Sequence, residues 1–241
     1  LYHDKNWRSG MTLNDNNTDN LFSQTGDLDY FAGEKQVPSG KNFQTYTSRA
    51  RVWNWLLEQI LPKEEAGSIQ GDKSILSHYI GEAYFFRALA YYQALVRYGD
   101  FPIIDEVLPD DQAILKELSQ RAPRNEVARF ILKDQGFQNN QRINKQTAQL
   151  LKSRVALFEA TFEKYHKGTG RVPGDDTWPG KDMEYNQGKT FDIAGEINFF
   201  LTEAMSAAKA VADHCTLTGN SHQMNPVLGQ TSGWNPYFDM F

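Results

Sequence analysis

Several stretches of this chain set polar side chains at spacings that could bind or react. In Leu13–Asn20, LNDNNTDN, the residues Asp15, Asn17 and Asp19 fall at alternate positions, as oxygen ligands do at the start of an EF-hand calcium loop. The sixth position of that loop is Asn20 rather than glycine, and the twelfth is Gly26 rather than a bidentate glutamate, so a turn-rich solvated loop is the better reading. His78 and Glu82 stand one helical turn apart, as metal ligands can. The remaining histidines, at 3, 166, 214 and 222, offer no paired site, and helix-start polarity accounts for the pair. Asp110-Asp111 and Asp175-Asp176 are carboxylate pairs in loops, where two solvated acids are the ordinary case. A glycosidase instead needs two carboxyls held at a set separation across one bond. No Gly-rich phosphate loop, Gly-x-Ser-x-Gly elbow or Cys-x-x-Cys occurs. These residues name no catalytic group and no cofactor.

Aromatic side chains in polar loops are the other route to chemistry. Sugars present C–H faces that stack on Trp and Tyr, while Asn, Asp and Lys hydrogen-bond their hydroxyls. Trp178 and Tyr185 lie in GDDTWPGKDMEYNQGK, and Trp234 lies in SGWNPY. All three are candidate ligand contacts, with packing of the loop onto the core as the competing role. Trp53 belongs to a helical stripe and is read as core.

The chain has 241 residues, 40% hydrophobic and 13% aromatic, which is enough for a substantial folded core. A net charge of −5 with no long run of one sign argues against nucleic acid or an anionic membrane surface as partner. Cys215 is alone, so no intrachain disulfide can form, and it is read as a small apolar filler on a helix face. Asn16-Asn17-Thr18 is a glycosylation sequon. No signal peptide is visible in the sequence, whose first residue is Leu1 rather than Met, as expected of a processed chain.

Positioning falls to helices. Tyr46, Ala50, Trp53 and Leu57 repeat at helical spacing, with Pro62 expected to stop that helix. Ser77–Tyr98 has few charges and makes a rod of about 33 Å, apolar around most of its circumference. Glu82 and Arg87 at its middle would be costly in lipid, so it is a buried helix of a water-soluble fold. Ala83, Ala88, Ala90 and Ala94 allow neighbours to approach closely, and Gly99 stands where a C-cap belongs, followed by Asp100 and Pro102. Asn144 can cap a helix with the stripe Ala148, Leu151, Val155, Phe158, Phe162 and Tyr165. The last stripe is Ile197, Leu201, Ala204, Ala208, Val211 and Cys215. Five helices are expected, near 43–61, 75–98, 124–135, 145–166 and 194–215. The fold class is all-α, in antiparallel hairpins without a regular 34-residue period.

GEAYFFRALAYYQALVRYGDFPII, which takes in most of that long helix and the extended tail after it, resembles the signature helix of the SusD/RagB family: an acidic residue and Ala, an Arg-Ala pair with aromatics, then Arg-Tyr-Gly-Asp-x-Pro. Three later stretches resemble further family segments in the same order. They are RAPRNEVARFILKD, QRINKQTAQLLKSRVALFEATFEKYH and FLTEAMSAAKAVADH. Lys152, Ser153 and Gln135 depart from the usual residues, which affects packing detail.

The resemblance implies tetratricopeptide-like helical hairpins packed under long irregular loops. It implies that residues 1–241 match the N-terminal portion of a longer protein, incomplete at both ends. It also implies a surface-exposed outer-membrane lipoprotein that captures oligosaccharides and passes them to a SusC-like TonB-dependent transporter, with no enzymatic step. Family glycan contacts lie on N-terminal loops and around the start of the first helix, where the nearest equivalents are Asn42, Phe43 and Tyr46; phenylalanine stands where tryptophan is common. Some relatives take peptides instead. Against this stand a helical-repeat scaffold with a protein-binding groove and a helical glycosidase. Long loops carrying Trp and Tyr favour the first reading over a scaffold, which needs short turns.

Overall fold

The structure, a computed structural model, describes residues 41–133 and 143–216. Asp15, Asn17, Asp19 and Trp234, along with the terminal aromatics Tyr237, Phe238 and Phe241, lie outside the described residues. Leu1–Phe43 and Gln44–Phe241 form separate compact units, and of the first only the opening residues of a helix are described.

Six α-helices carry the described residues: α1 Lys41–Glu65, α2 Lys73–Tyr98, α3 Gln112–Leu118, α4 Arg124–Lys133, α5 Lys145–His166 and α6 Ile193–Ala212. Two short 3-10 turns, Pro179–Asp182 and Glu184–Asn186, lie in the loop before α6. There is no strand among them, only one antiparallel bridge between Phe101 and Ala122. The fold is all-α.

Caps set the helix starts. Asp72 accepts from the Ser74 N–H, Asp111 from Ala113 and Ile114, Asn144 from Thr147, and Asp192 from Gly195. Each satisfies backbone donors that the first turn leaves open. Gly99 ends α2 at φ 72°, a conformation that favours glycine, and its N–H bonds the Leu95 carbonyl. No described helix is long and apolar enough to cross a membrane.

Helices α1 and α2 run antiparallel. Tyr46 meets Tyr98, Arg49 donates to Gln93, and Trp53 stacks on Phe86 at 5.0 Å. Helices α5 and α6 form the second antiparallel pair, tied by the Lys152–Glu203 ion pair. Helix α4 packs against α2 on one side and α5 on the other. Ala83, Ala88, Ala90 and Ala94 are all buried in the seam of α2, as their small size requires. Tyr91, Leu95 and Phe101 fill the space between them and α4.

Four expectations need correction. Pro62 does not stop α1, which continues to Glu65. The proline removes one N–H in an exposed last turn, where water can take the Glu58 carbonyl, and the Ala66 N–H still bonds Pro62 O. Helix α3 was not expected; Asp111 caps a run of good helix formers too short to show a stripe, and none of its residues is buried. Tyr165 is 74% exposed, and the inner face of α5 is completed instead by Glu159, Ala160 and Glu163. Helix α6 ends at Ala212, leaving Cys215 exposed beyond it and Ala208 on the outer face, with Ala207 buried in its place.

Candidate functional site

Beside its α2-facing stripe, α1 carries Gln44, Thr47, Ser48, Arg51 and Asn54, spaced 3, 1, 3 and 3, the last still within reach of Arg87 on α2. Helical geometry gathers these onto one side. Opposite them runs the extended segment after α2, from Pro102 through Asp110, with Leu115 of α3 beyond it. Between the two walls lies a groove of about 540 Å³.

Buried side chains fix the segment that forms the second wall. The Asn54 amide, 2% exposed, donates to the carbonyls of Ile104 at 2.8 Å and Glu106 at 3.2 Å. Its oxygen accepts from Arg87 Nη1 at 3.1 Å, and the same guanidinium donates to Asp105 O. The Tyr91 hydroxyl takes the Ile104 N–H and donates to the Ile104 carbonyl, both at 2.8 Å. An extended segment outside any sheet thus has the backbone polar groups of Ile104, and the carbonyls of Asp105 and Glu106, met by side chains. Arg87 also packs over the rings of Tyr84 and Phe130.

The groove wall on α1 offers an amide, two hydroxyls and a guanidinium. The wall across from it offers the carboxylates of Glu106 and Asp110. Leu108, Pro109 and Leu115 add an apolar edge. Donors face acceptors across a fixed gap, an arrangement that suits a hydroxyl-rich ligand.

A second polar cluster lies deep between α4, α5 and α6. Arg124 forms a two-pronged ion pair with the fully buried Glu159, Nε–Oε1 at 2.7 Å and Nη2–Oε2 at 2.8 Å, and its guanidinium lies 3.3 Å from the Phe162 ring centre. Arg129 pairs with Glu196 at 3.0 Å through both nitrogens. Glu163 sits among them, 1% exposed, and its Oε2 has no hydrogen-bond partner among the described residues. Burial, then repulsion from Glu159 and Glu196, pushes its carboxyl up to about 8, against the pull of Arg124 and Arg129. Among the described residues no group of three His, Cys, Asp or Glu could hold a metal ion.

Of the residues singled out in the sequence for their chemistry, Asp110 lines the groove, and none of the described aromatic candidates does. Tyr46 is half-buried against Tyr98, on the side of α1 that faces α2. Phe43 is half-buried at the start of α1, and the side chain of Asn42 lies outside what is described. Trp178 is 4% exposed, with Nε1 donating to Asp100 Oδ2 at 2.9 Å, its ring against Phe191 and close over Gly180. An enclosed ring is core, and the packing role prevails over the stacking platform. Tyr185 is half-buried in the second 3-10 turn. Asp175 is not a solvated acid either: buried, it accepts the N–H groups of Gly168, Gly170 and Val172 and so folds the loop on itself. His78 is buried, with Nε2 3.2 Å from Glu82.

Sequence reasoning passed over Asn54, Arg51 and the segment Ile104–Pro109, and read Asp110 only as one of a solvated acidic pair. The signal was present for the first: an Asn inside an otherwise apolar helical stripe needs partners when buried. Nothing in the sequence places 104–110 beside α1.

No family model matches the chain, and no curated protein matches it. A crystal structure of a SusD-like protein from Bacteroides fragilis is similar to it, at 25% identity and a TM-score of 0.47, over 63% of this chain and 32% of that one. The chain spans about a third of that protein's length. At that TM-score the likeness decides neither fold nor site, which rest on the helices and groove above.

Proposed function

We propose that this chain is a non-catalytic oligosaccharide-binding module of SusD-like type, taking a neutral glycan in the groove between α1 and Pro102–Asp110. The observation that carries this is the groove's make-up. Gln44, Thr47, Ser48 and Arg51 stand opposite Glu106 and Asp110, on a wall held rigid by Asn54, Arg87 and Tyr91. Neutral sugars offer many hydroxyls that both donate and accept, and so pair with either wall. Glu106 and Asp110 outnumber Arg51, so the groove disfavours phosphorylated, sulfated or uronic ligands. A pre-formed wall spares the ligand the ordering cost, yet each polar contact must still offset desolvation, so affinities of micromolar to millimolar order follow. The four ordered sequence resemblances to SusD/RagB proteins support the same reading. With them come surface exposure at the outer membrane by a lipid anchor and delivery to a SusC-like TonB-dependent transporter, as the N-terminal portion of a longer protein.

Calorimetric titration of neutral and acidic oligosaccharides tests it, alongside an assay for released reducing sugar. Binding of a neutral glycan without release supports the proposal. Sugar release makes the chain an enzyme, and binding of peptides with silence across glycans makes the groove a peptide or scaffold site.

A further inference from the structure

The row of residues that α1 turns toward the groove does not end at Arg51. Gln44, Ser48, Arg51 and Trp55 are spaced 4, 3 and 4, the repeat that places side chains above one another along a helix. Trp55 therefore stands one turn beyond Arg51 on the same side, next to the buried Asn54 that pins the opposite wall. Its neighbour Trp53 points the other way and stacks on Phe86 in the core. Trp55 is 57% exposed, and no ring contact is made by it among the described residues. Trp55 and the exposed Val52 lie three residues apart, so they make one contiguous apolar step rather than a single scattered side chain.

We propose that Trp55 is the aromatic platform of this binding site, stacking one sugar ring while the groove hydrogen-bonds the rest of the chain. This rests on the glycan-binding reading above and deepens it. From Gln44 to Trp55 the helix advances about 16 Å. That length is more than one sugar ring covers, so the ligand class is an oligosaccharide lying along α1 rather than a monosaccharide. Arg51, midway along the row, reaches the hydroxyls between the polar end and the stacked end. Val52, 60% exposed beside Trp55, widens the apolar step.

The experiment uses the full chain with maltohexaose, xylohexaose and mannohexaose, and with the corresponding monosaccharides. Four proteins are titrated: wild type, Trp55→Ala, Trp55→Phe and Ser48→Trp, the last filling the groove from an exposed helix position. Circular dichroism confirms that each is folded. Trp55→Ala should weaken the bound hexasaccharide about three- to tenfold, the range typical of one aromatic contact, with Trp55→Phe recovering most of it. Iodide quenching gives a second readout. The emission lost between wild type and Trp55→Phe should be quenchable in the free protein and protected when the hexasaccharide binds. If Ser48→Trp abolishes binding while Trp55→Ala binds as wild type, the platform is overturned and the groove stands; Trp55 and Val52 then belong to a protein-docking face. If wild type binds no hexasaccharide, the glycan reading fails and the platform with it. Equal affinity for monosaccharide and hexasaccharide overturns the extended site.

Discussion

Asp100 holds Trp178 across a long gap in sequence: Oδ2 accepts the indole N–H at 2.9 Å while Oδ1 accepts the Arg124 backbone N–H at 3.0 Å. One carboxylate thus ties the end of α2 to the start of α4 and to the loop before α6. Burial raises its pKa, offset in part by the Trp178 and Arg124 hydrogen bonds. Trp178→Ala leaves that carboxylate short of a donor and opens a cavity against Phe191, so a loss of about 3–5 kcal/mol in denaturant melts is expected. Glycan affinity of the folded fraction should be unchanged, since the ring faces no groove. Weakened binding at unchanged stability would return Trp178 to the ligand site.

The helices were legible because their apolar spacings, caps and breakers are local. Asn144, Gly99 and the alanine row of α2 behave as their types and positions dictate. What escaped was decided by partners distant in sequence. Glu159 and Glu163 take inner positions on α5 because Arg124 and Arg129 arrive from α4, which no spacing within α5 shows. Trp178 and Asp175 read as loop polarity and aromaticity, but Asp100 and three backbone N–H groups draw them inside. The groove depends on one chain segment lying beside another, and beyond the Asn54 amide on α1 neither segment carries a mark of the meeting.

Asn54 is the hinge between stability and binding. Asn54→Asp keeps the shape but removes the amide that donates to Ile104 O and Glu106 O, setting a carboxylate against two carbonyls. About 1–3 kcal/mol of stability should be lost, the cost of buried groups left unsatisfied. With its wall released, the groove should bind oligosaccharide more weakly even at temperatures where the protein is fully folded. Calorimetric titration well below the melting temperature reads this directly, and unchanged affinity would mean the wall is fixed by Tyr91 and Arg87 alone.

The Arg124–Glu159 pair makes a sharper stability prediction. Arg124→Ala strands a fully buried carboxylate and should cost about 3–5 kcal/mol. Replacing both partners by apolar residues of similar volume, Arg124→Met with Glu159→Leu, should recover much of that loss, because no buried charge then remains. A double variant as unstable as Arg124→Ala would show that the guanidinium matters mainly through its packing on Phe162 rather than through the pair.

Glu163 supplies a pH dependence whose sign can be worked out. Its carboxyl titrates near 4.5 when solvated and at about 8 in the fold, because burial comes first and Glu159 and Glu196 add repulsion. Across that window the folded protein keeps a proton that the unfolded chain releases, so stability falls as pH rises from about 4.5 to 8 and levels off above. Arg124, Arg129, Glu159 and Glu196 are the charged groups facing it, and Asp100, also raised, contributes the same sign. Glu163→Gln cannot titrate and keeps the neutral form at all pH. Its melting temperature should match wild type near pH 5 and exceed it at pH 9, with a flatter curve between. Parallel curves for the two proteins would mean that Glu163 is ionised in the fold, its charge met by Arg124 and Arg129.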